Sequence, residues 1–237
     1  MILLGGNKIT ESMITVTGGN TSLAGDRCIN QTANEVTKFT DIVIDFGSAV
    51  DIDSIAVVNV SQDVTIEGNA TDVWTAPSYS ASLTELTGSR VRLELPTTKS
   101  YRYWRLVQPS AIVSYVGYFY LGEKLELTGR TYGQNQSLIY VDTLTGLVSG
   151  GSLVKQSYTM KELTAQFPTM SNTEYQAIRD YYATYGRLPA IIVPYSDDDQ
   201  STLPEFQLPF FCTPEFEFGT RSENNNNIIK AKFKEIK

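Results

Sequence analysis

The sequence predicts a mainly β protein: one antiparallel β sandwich, then a second β sandwich that carries a single α-helix. Three observations predict it. Residues 100–127 contain Ser-Tyr-Arg-Tyr-Trp-Arg-Leu-Val and then Val-Gly-Tyr-Phe-Tyr-Leu-Gly-Glu-Lys-Leu-Glu-Leu. Rows such as Tyr101, Tyr103 and Leu106, or Tyr118, Tyr120 and Leu121, set large rings beside charged neighbours, as strands with one dry and one wet face require. Elsewhere short apolar runs are parted by clusters of Gly, Asn, Asp and Ser. Their connections, such as Thr17-Gly-Gly-Asn20 and Ser61-Gln-Asp63, are too short for crossover helices, so parallel topology is not expected. Finally, only one stretch has a helical period. With 237 residues, 41% of them hydrophobic and 14 of them Tyr, the chain has material for two such domains, read as 1–127 and 128–237.

In the first domain, strands are predicted at Ile14 to Val16, Ile42 to Phe46, Ile52 to Val60, Val64 to Gly68, Val91 to Leu95, Tyr103 to Val107 and Val116 to Leu121. The second opens with the strand Leu138-Ile-Tyr-Val-Asp142 and continues near Leu153 to Lys161, Ala190 to Pro194 and Glu205 to Phe211. It closes with a hairpin pairing Glu215 to Phe218 with Ile228 to Ile236. The helix is placed at about 172–185. Ser171-Asn-Thr-Glu174 has the spacing of a capping box, and Met170 and Tyr175 are placed for a hydrophobic staple. Tyr175, Ile178, Tyr181, Tyr182 and Tyr185 form one apolar stripe, and Gly186 stands where a left-handed stop belongs.

Charge and composition exclude several functions. A net charge of -7 and a pI near 4.7 argue against a nucleic-acid binder, because phosphate contacts need clustered Lys and Arg. With no histidine, Ser-His-Asp and Cys-His nucleophile systems and His-based zinc sites cannot form. No Gly-rich phosphate loop is present, and nothing selects a catalytic pair from the 26 acidic residues. The chain is therefore read as a non-enzyme that needs no cofactor or metal. Cys28 and Cys212 are expected to be free, buried thiols. The start Met1 to Lys8 lacks the features of a secretory leader and no stretch approaches a membrane span, so folding in a cytoplasm is expected.

A few segments could serve binding. Asp197-Asp198-Asp199 is a polar loop without the alternating spacing of a calcium loop, so solvated carboxylates are expected there. The run Asn224, Asn225, Asn226 and Asn227 suits a turn in the last hairpin, or a loop that orders on a partner. On the final strand Lys230, Lys232 and Lys234 alternate with Ile229, Ala231 and Phe233, which reads either as a protected edge or as a charged flank for an acidic neighbour. Trp74, Tyr79, Trp104 and the Tyr115 to Tyr120 cluster could stack on sugars; rings at strand spacing are mostly core, and Trp74, inside the loop-like stretch Thr71-Asp-Val-Trp-Thr-Ala-Pro77, is the best exposed candidate. The Asn-x-Ser/Thr sequences at Asn20, Asn30, Asn59, Asn69 and Asn135 are given no role.

Four segments carry a resemblance: Asp26-Arg-Cys-Ile-Asn-Gln-Thr32, Ile42-Val-Ile-Asp-Phe-Gly47, Asp51-Ile-Asp-Ser-Ile-Ala-Val-Val-Asn59 and Tyr101-Arg-Tyr-Trp-Arg-Leu106. Through them the first half resembles the discoidin, or coagulation-factor type C, domain family. Val116-Gly-Tyr-Phe-Tyr-Leu-Gly122 resembles the closing strand of discoidin-like domains in phage tail proteins. Through Thr173-Glu-Tyr-Gln-Ala-Ile-Arg-Asp-Tyr-Tyr182, Gly186-Arg-Leu-Pro-Ala-Ile-Ile-Val-Pro-Tyr-Ser-Asp-Asp198 and the charged last strand, the second half is similar in outline to the tail-tube-like β sandwich of ring-forming tail proteins. The resemblance implies a structural protein of a bacteriophage tail tip or baseplate. It would form a homo-oligomeric ring, contact tail tube, hub and fibre proteins, and meet DNA only as passing cargo, without entering a membrane. Partner contacts are then expected at Asp197 to Asp199, Asn224 to Asn227, Lys230, Lys232 and Lys234. The alternative is a carbohydrate-binding module that grips a host-surface glycan through loops around Asp26 to Thr32 and Trp74 to Tyr79, with Trp74 and Tyr79 as its contact rings.

Overall fold

The structure, a computed structural model, describes residues 1–18, 25–29, 36–86, 89–108, 113–127, 135–146, 152–186, 188–194, 208–221 and 226–236. For 25–26, 135–146, 152–159, 168–169, 220–221 and 226–227 it describes the backbone alone. In chain order the strands begin with β1 Ile2–Leu4, β2 Ile14–Thr17, β3 Thr37–Phe39, β4 Asp41–Ile52, β5 Ser54–Val58, β6 Val64–Asn69, β7 Tyr79–Leu83 and β8 Val91–Glu94. They continue with β9 Lys99–Val107, β10 Ser114–Val116, β11 Tyr118–Gly122, β12 Lys124–Glu126, β13 Asn135–Gly146 and β14 Ser152–Met170. Helix α1 Asn172–Tyr185 follows, then β15 Ala190–Val193, β16 Phe210–Arg221 and β17 Asn226–Glu235. Among the described residues the protein is mainly β with one α-helix, as the apolar alternation requires.

The chain separates into two compact units, Met1–Glu126 with Leu188–Phe211, and Leu127–Arg187 with Cys212–Lys237. Residues 188–211, which the sequence assigns to the second domain, thus belong with the first. The reason is pairing: β1, buried throughout, lies antiparallel to both β12 and β15, with Leu3 opposite Leu125 and Ile192.

In the first unit a five-stranded antiparallel sheet, β2-β4-β9-β6-β7, and a three-stranded sheet, β11-β5-β8, enclose one core. Ile42, Ile44, Ile66, Trp104 and Leu106 come from the first sheet, and Ile55, Val57, Phe119 and Leu121 from the second. Trp104 is fully buried, with edge-on contacts to Tyr79 at 5.8 Å and to Tyr101 at 5.7 Å between ring centroids. Tyr118 and Tyr120 are buried as well, so the aromatic row that predicts these strands serves packing. Cys28 and Cys212 are both buried, and neither is joined in a disulfide.

In the second unit β16 pairs with β17, β17 with β14 and β14 with β13, all antiparallel. Inward-facing Leu163, Ala165, Phe167, Ile229, Ala231 and Phe233 are buried. Helix α1 has the predicted ends. Ser171 Oγ accepts from the Glu174 N–H at 3.2 Å, the Glu174 carboxylate accepts from the Ser171 N–H at 3.0 Å, and Gly186 closes the helix at φ 57°. Its stripe packs on sheet rings, with Tyr175 against Phe218 and Tyr182 against Phe216. Among the described residues no helix is long and apolar enough to cross a membrane.

Candidate functional site

The five-stranded sheet sends alternate residues to opposite faces, so with Trp104 and Leu106 inside, Arg105 stands on the outer face. There it lies in register between Val43 of β4 and Glu67 of β6. Its Nε and Nη2 both donate to Glu67 Oε2, at 2.9 and 2.6 Å, and Nη1 is 4.0 Å from Asp41 Oδ2. The side chains of Arg105 and Glu67 are 18% and 13% exposed, dry enough for the pair to hold its geometry yet open to a ligand. Asp41 Oδ1 is buried and has no hydrogen-bond partner among the described residues.

The loop between β6 and β7 places Trp74 over this pair. Asn69 pins the loop from within: its Nδ2 donates to the Val73 carbonyl at 2.6 Å, and its Oδ1 accepts from the Ala70 N–H at 3.0 Å and from Ser78 Oγ at 2.8 Å. Trp74 Nε1 donates to Asp72 Oδ1 at 2.7 Å, and the Arg105 guanidinium sits 4.7 Å from the indole centroid. The indole is therefore held from its edge and from one face. It remains half-buried, beside Val73, which is 56% exposed. Around the ring three carboxylates, of Asp41, Glu67 and Asp72, stand against one guanidinium. The same face carries a second fork, in which Arg102 Nε and Nη2 donate to the two oxygens of Asp45 at 2.7 and 2.8 Å. That hydrogen bond, helped by the Gly47 N–H, holds the Asp45 pKa down to about 2.

The two ring residues predicted to act together do not meet. Tyr79 pairs in register with Gly68 and packs against Trp104, on the core side of the sheet from Arg105 and Trp74. Its hydroxyl is 3.5 Å from Glu94, and burial, with Glu94 next, pushes its pKa up to about 12. Tyr79 is a core ring with a polar tip, and only Trp74 stays a candidate for contact with a ligand. The residues missed by the sequence reading, Asp41, Glu67, Asp72 and Arg105, become a site only when β4, β9 and β6 lie side by side. The lone local signal was the Asp72-x-Trp74 spacing in a loop.

The lysine strand is also corrected. β17 lies between β16 and β14 and is no sheet edge, so its lysines do not protect one. They face carboxylates across the strands: Lys232 Nζ is 3.0 Å from Glu162 and Lys230 Nζ is 4.0 Å from Glu217, while Lys234 lies in register with Glu162. Asn226 and Asn227 belong to β17 and pair with Arg221 and Thr220. Asn224, Asn225, Asp197, Asp198 and Asp199 lie outside the described residues. Among the described residues no three His, Cys, Asp or Glu side chains are gathered to hold a metal ion.

No protein-family model and no curated protein matches the chain. Solved structures do. The lectin domain of lectinolysin in complex with Lewis B antigen aligns with a TM-score of 0.41 at 9% identity, over 49% of this chain and 98% of that one. A chitosan-binding module from a Paenibacillus sp. IK-5 chitosanase/glucanase aligns at 0.38 and 12% identity, over 50% of this chain and 100% of the module. A pectin-binding carbohydrate-binding module aligns at 0.36 and 8% identity, over 50% and 93%. Scores at this level leave function to the geometry of the site.

Proposed function

We propose that the first unit is a saccharide-binding domain whose contact surface is the outer face of the five-stranded sheet around Trp74. The observation that carries this reading is the half-buried indole, fixed by Asp72 and Arg105 and bordered by charged hydrogen-bonding groups on a rigid sheet. A sugar offers apolar C–H faces and a rim of hydroxyls. An aromatic ring gives the first a flat partner, and carboxylates and guanidinium nitrogens give the second its acceptors and donors. The loop needs no ordering on binding, because Asn69 has already set it. The surplus of carboxylates favours neutral or amine-bearing sugars and disfavours uronic acids.

The test is a glycan array that spans neutral, amino and uronic-acid saccharides, probed with the full chain and with Trp74→Ala. Binding to a neutral or amino saccharide that is lost with Trp74→Ala supports the reading. Equal binding by both proteins removes Trp74 from the site, and failure to bind any array member removes the function. The tail-tip ring implied by the resemblance has no feature specific to it among the described residues, since sheet strands braced by one helix serve many roles.

A further inference from the structure

The lysines that would guard a sheet edge lie on an interior strand of the second unit, and its true edge is β13. Among the described residues β13 has a single neighbour, β14, with which it pairs from Asn135 opposite Thr164 to Gly146 opposite Ser152, shifting register once at Val141/Asp142. It runs for 12 residues. The other strands at sheet ends are short: β12, β3 and β10 have 3 residues each, β2 and β8 have 4, and β7 and β11 have 5. Its sequence, Asn-Gln-Ser-Leu-Ile-Tyr-Val-Asp-Thr-Leu-Thr-Gly, holds one charged residue, Asp142, with no Lys, Arg or Pro. It is rich in the residue types that favour strands. Long edges are ordinarily blunted by shortness, lysine or proline, and β13 has none of these.

We propose that β13 pairs with the β13 of a second copy of this chain, antiparallel across a two-fold axis. The charge pattern selects that occupant. Copies carrying a net charge of -7 repel over most of their surfaces, and this strand is nearly neutral. With the axis at Tyr140, Ser137 faces Thr143 of the other copy and Asp142 faces Leu138, so no carboxylates oppose each other. An antiparallel edge is self-complementary in its backbone donors and acceptors, and the two-fold uses both β13 edges, leaving neither open to a third copy. The proposal is independent of the saccharide site.

The experiment measures the mass of the full chain by sedimentation and light scattering over a concentration series. It compares wild type with the double substitutions S137K/T143K and S137E/T143E, which set like charges opposite one another. A wild-type dimer, about tenfold or more weaker in each variant and recovered when the two variants are mixed, supports the pairing. A monomeric wild type, or an oligomer indifferent to both variants, overturns it. Circular dichroism and melting of each variant establish that the strand still folds. If the variants fold and dissociate but fail to associate when mixed, the second copy is not seated on β13.

Discussion

Trp104 and Trp74 sit on the two faces of one sheet, and the same indole does opposite work on each. Trp104 is fully enclosed by Tyr79, Tyr101 and the aliphatic core, where its area leaves water altogether. Trp74 has a guanidinium on one face, a carboxylate at its nitrogen and part of its ring in solvent. The lesson is that exposure and neighbours, not residue type, decide whether a ring stabilises a fold or recognises a ligand. The inner face should answer to substitution with stability and the outer face with binding.

Trp104→Ala strikes the inner face hardest. Removing a fully buried indole should cost about 3–5 kcal/mol, read by chemical denaturation. A loss below about 1 kcal/mol would mean that Trp104 is no core ring.

A smaller change on the same inner face is Gly68→Ala. A Cβ there would lie 2.6 Å from Tyr101 Cδ2 and 3.3 Å from Trp104 Cζ3, so both rings must shift. Overpacking of this kind costs about 1–3 kcal/mol, and unfolding midpoints of variant and wild type compare it directly. An unchanged midpoint would show that these rings are loosely held.

On the outer face, the Arg102–Asp45 fork makes stability depend on pH. The folded pKa of Asp45, about 2, lies below the ordinary carboxylate value near 3.9. Its contribution is therefore complete above about pH 4 and disappears as pH falls through about 2. The stability gap between wild type and Asp45→Asn should be constant at neutral pH and close over that acid window. A gap that persisted unchanged below pH 2 would contradict the assigned pKa.

The smallest expected stability change is that of Trp74→Ala. The lost cation–π contact is worth about 0.5–1 kcal/mol, with no core cavity left behind. The melting temperature should move little while saccharide binding disappears.

A signal confined to one segment shows in the sequence, and one that needs a neighbouring strand does not. Helix α1 was readable to its ends because the capping box, the tyrosine stripe and Gly186 act within the segment. Strands with clean alternation, such as β6 and β9, were readable too, whereas β1, β3 and β12, three residues each, carry too short a pattern. The placement of residues 188–211 was not readable, because it rests on pairing between Ile2–Leu4 and Ile191–Val193. The site shows the same limit. Trp74 announced itself in a loop, but Arg105 and Glu67 are 38 residues apart and meet only once β6 and β9 pair in register. Tyr79 misled for a related reason, since the face a ring takes depends on the phase of its strand. The lysines of β17 suggested an edge because sequence shows alternation and does not show neighbours.

The most direct test of the division between the two indoles is two-dimensional nitrogen–proton magnetic resonance on the full chain. With 2 Trp in the sequence, two indole N–H signals are expected, assigned by Trp74→Phe. On titration with the saccharide that the array identifies, the Trp74 signal should move to saturation and the Trp104 signal should stay in place. A Trp74 signal that stays fixed while the saccharide binds would place the saccharide away from this indole.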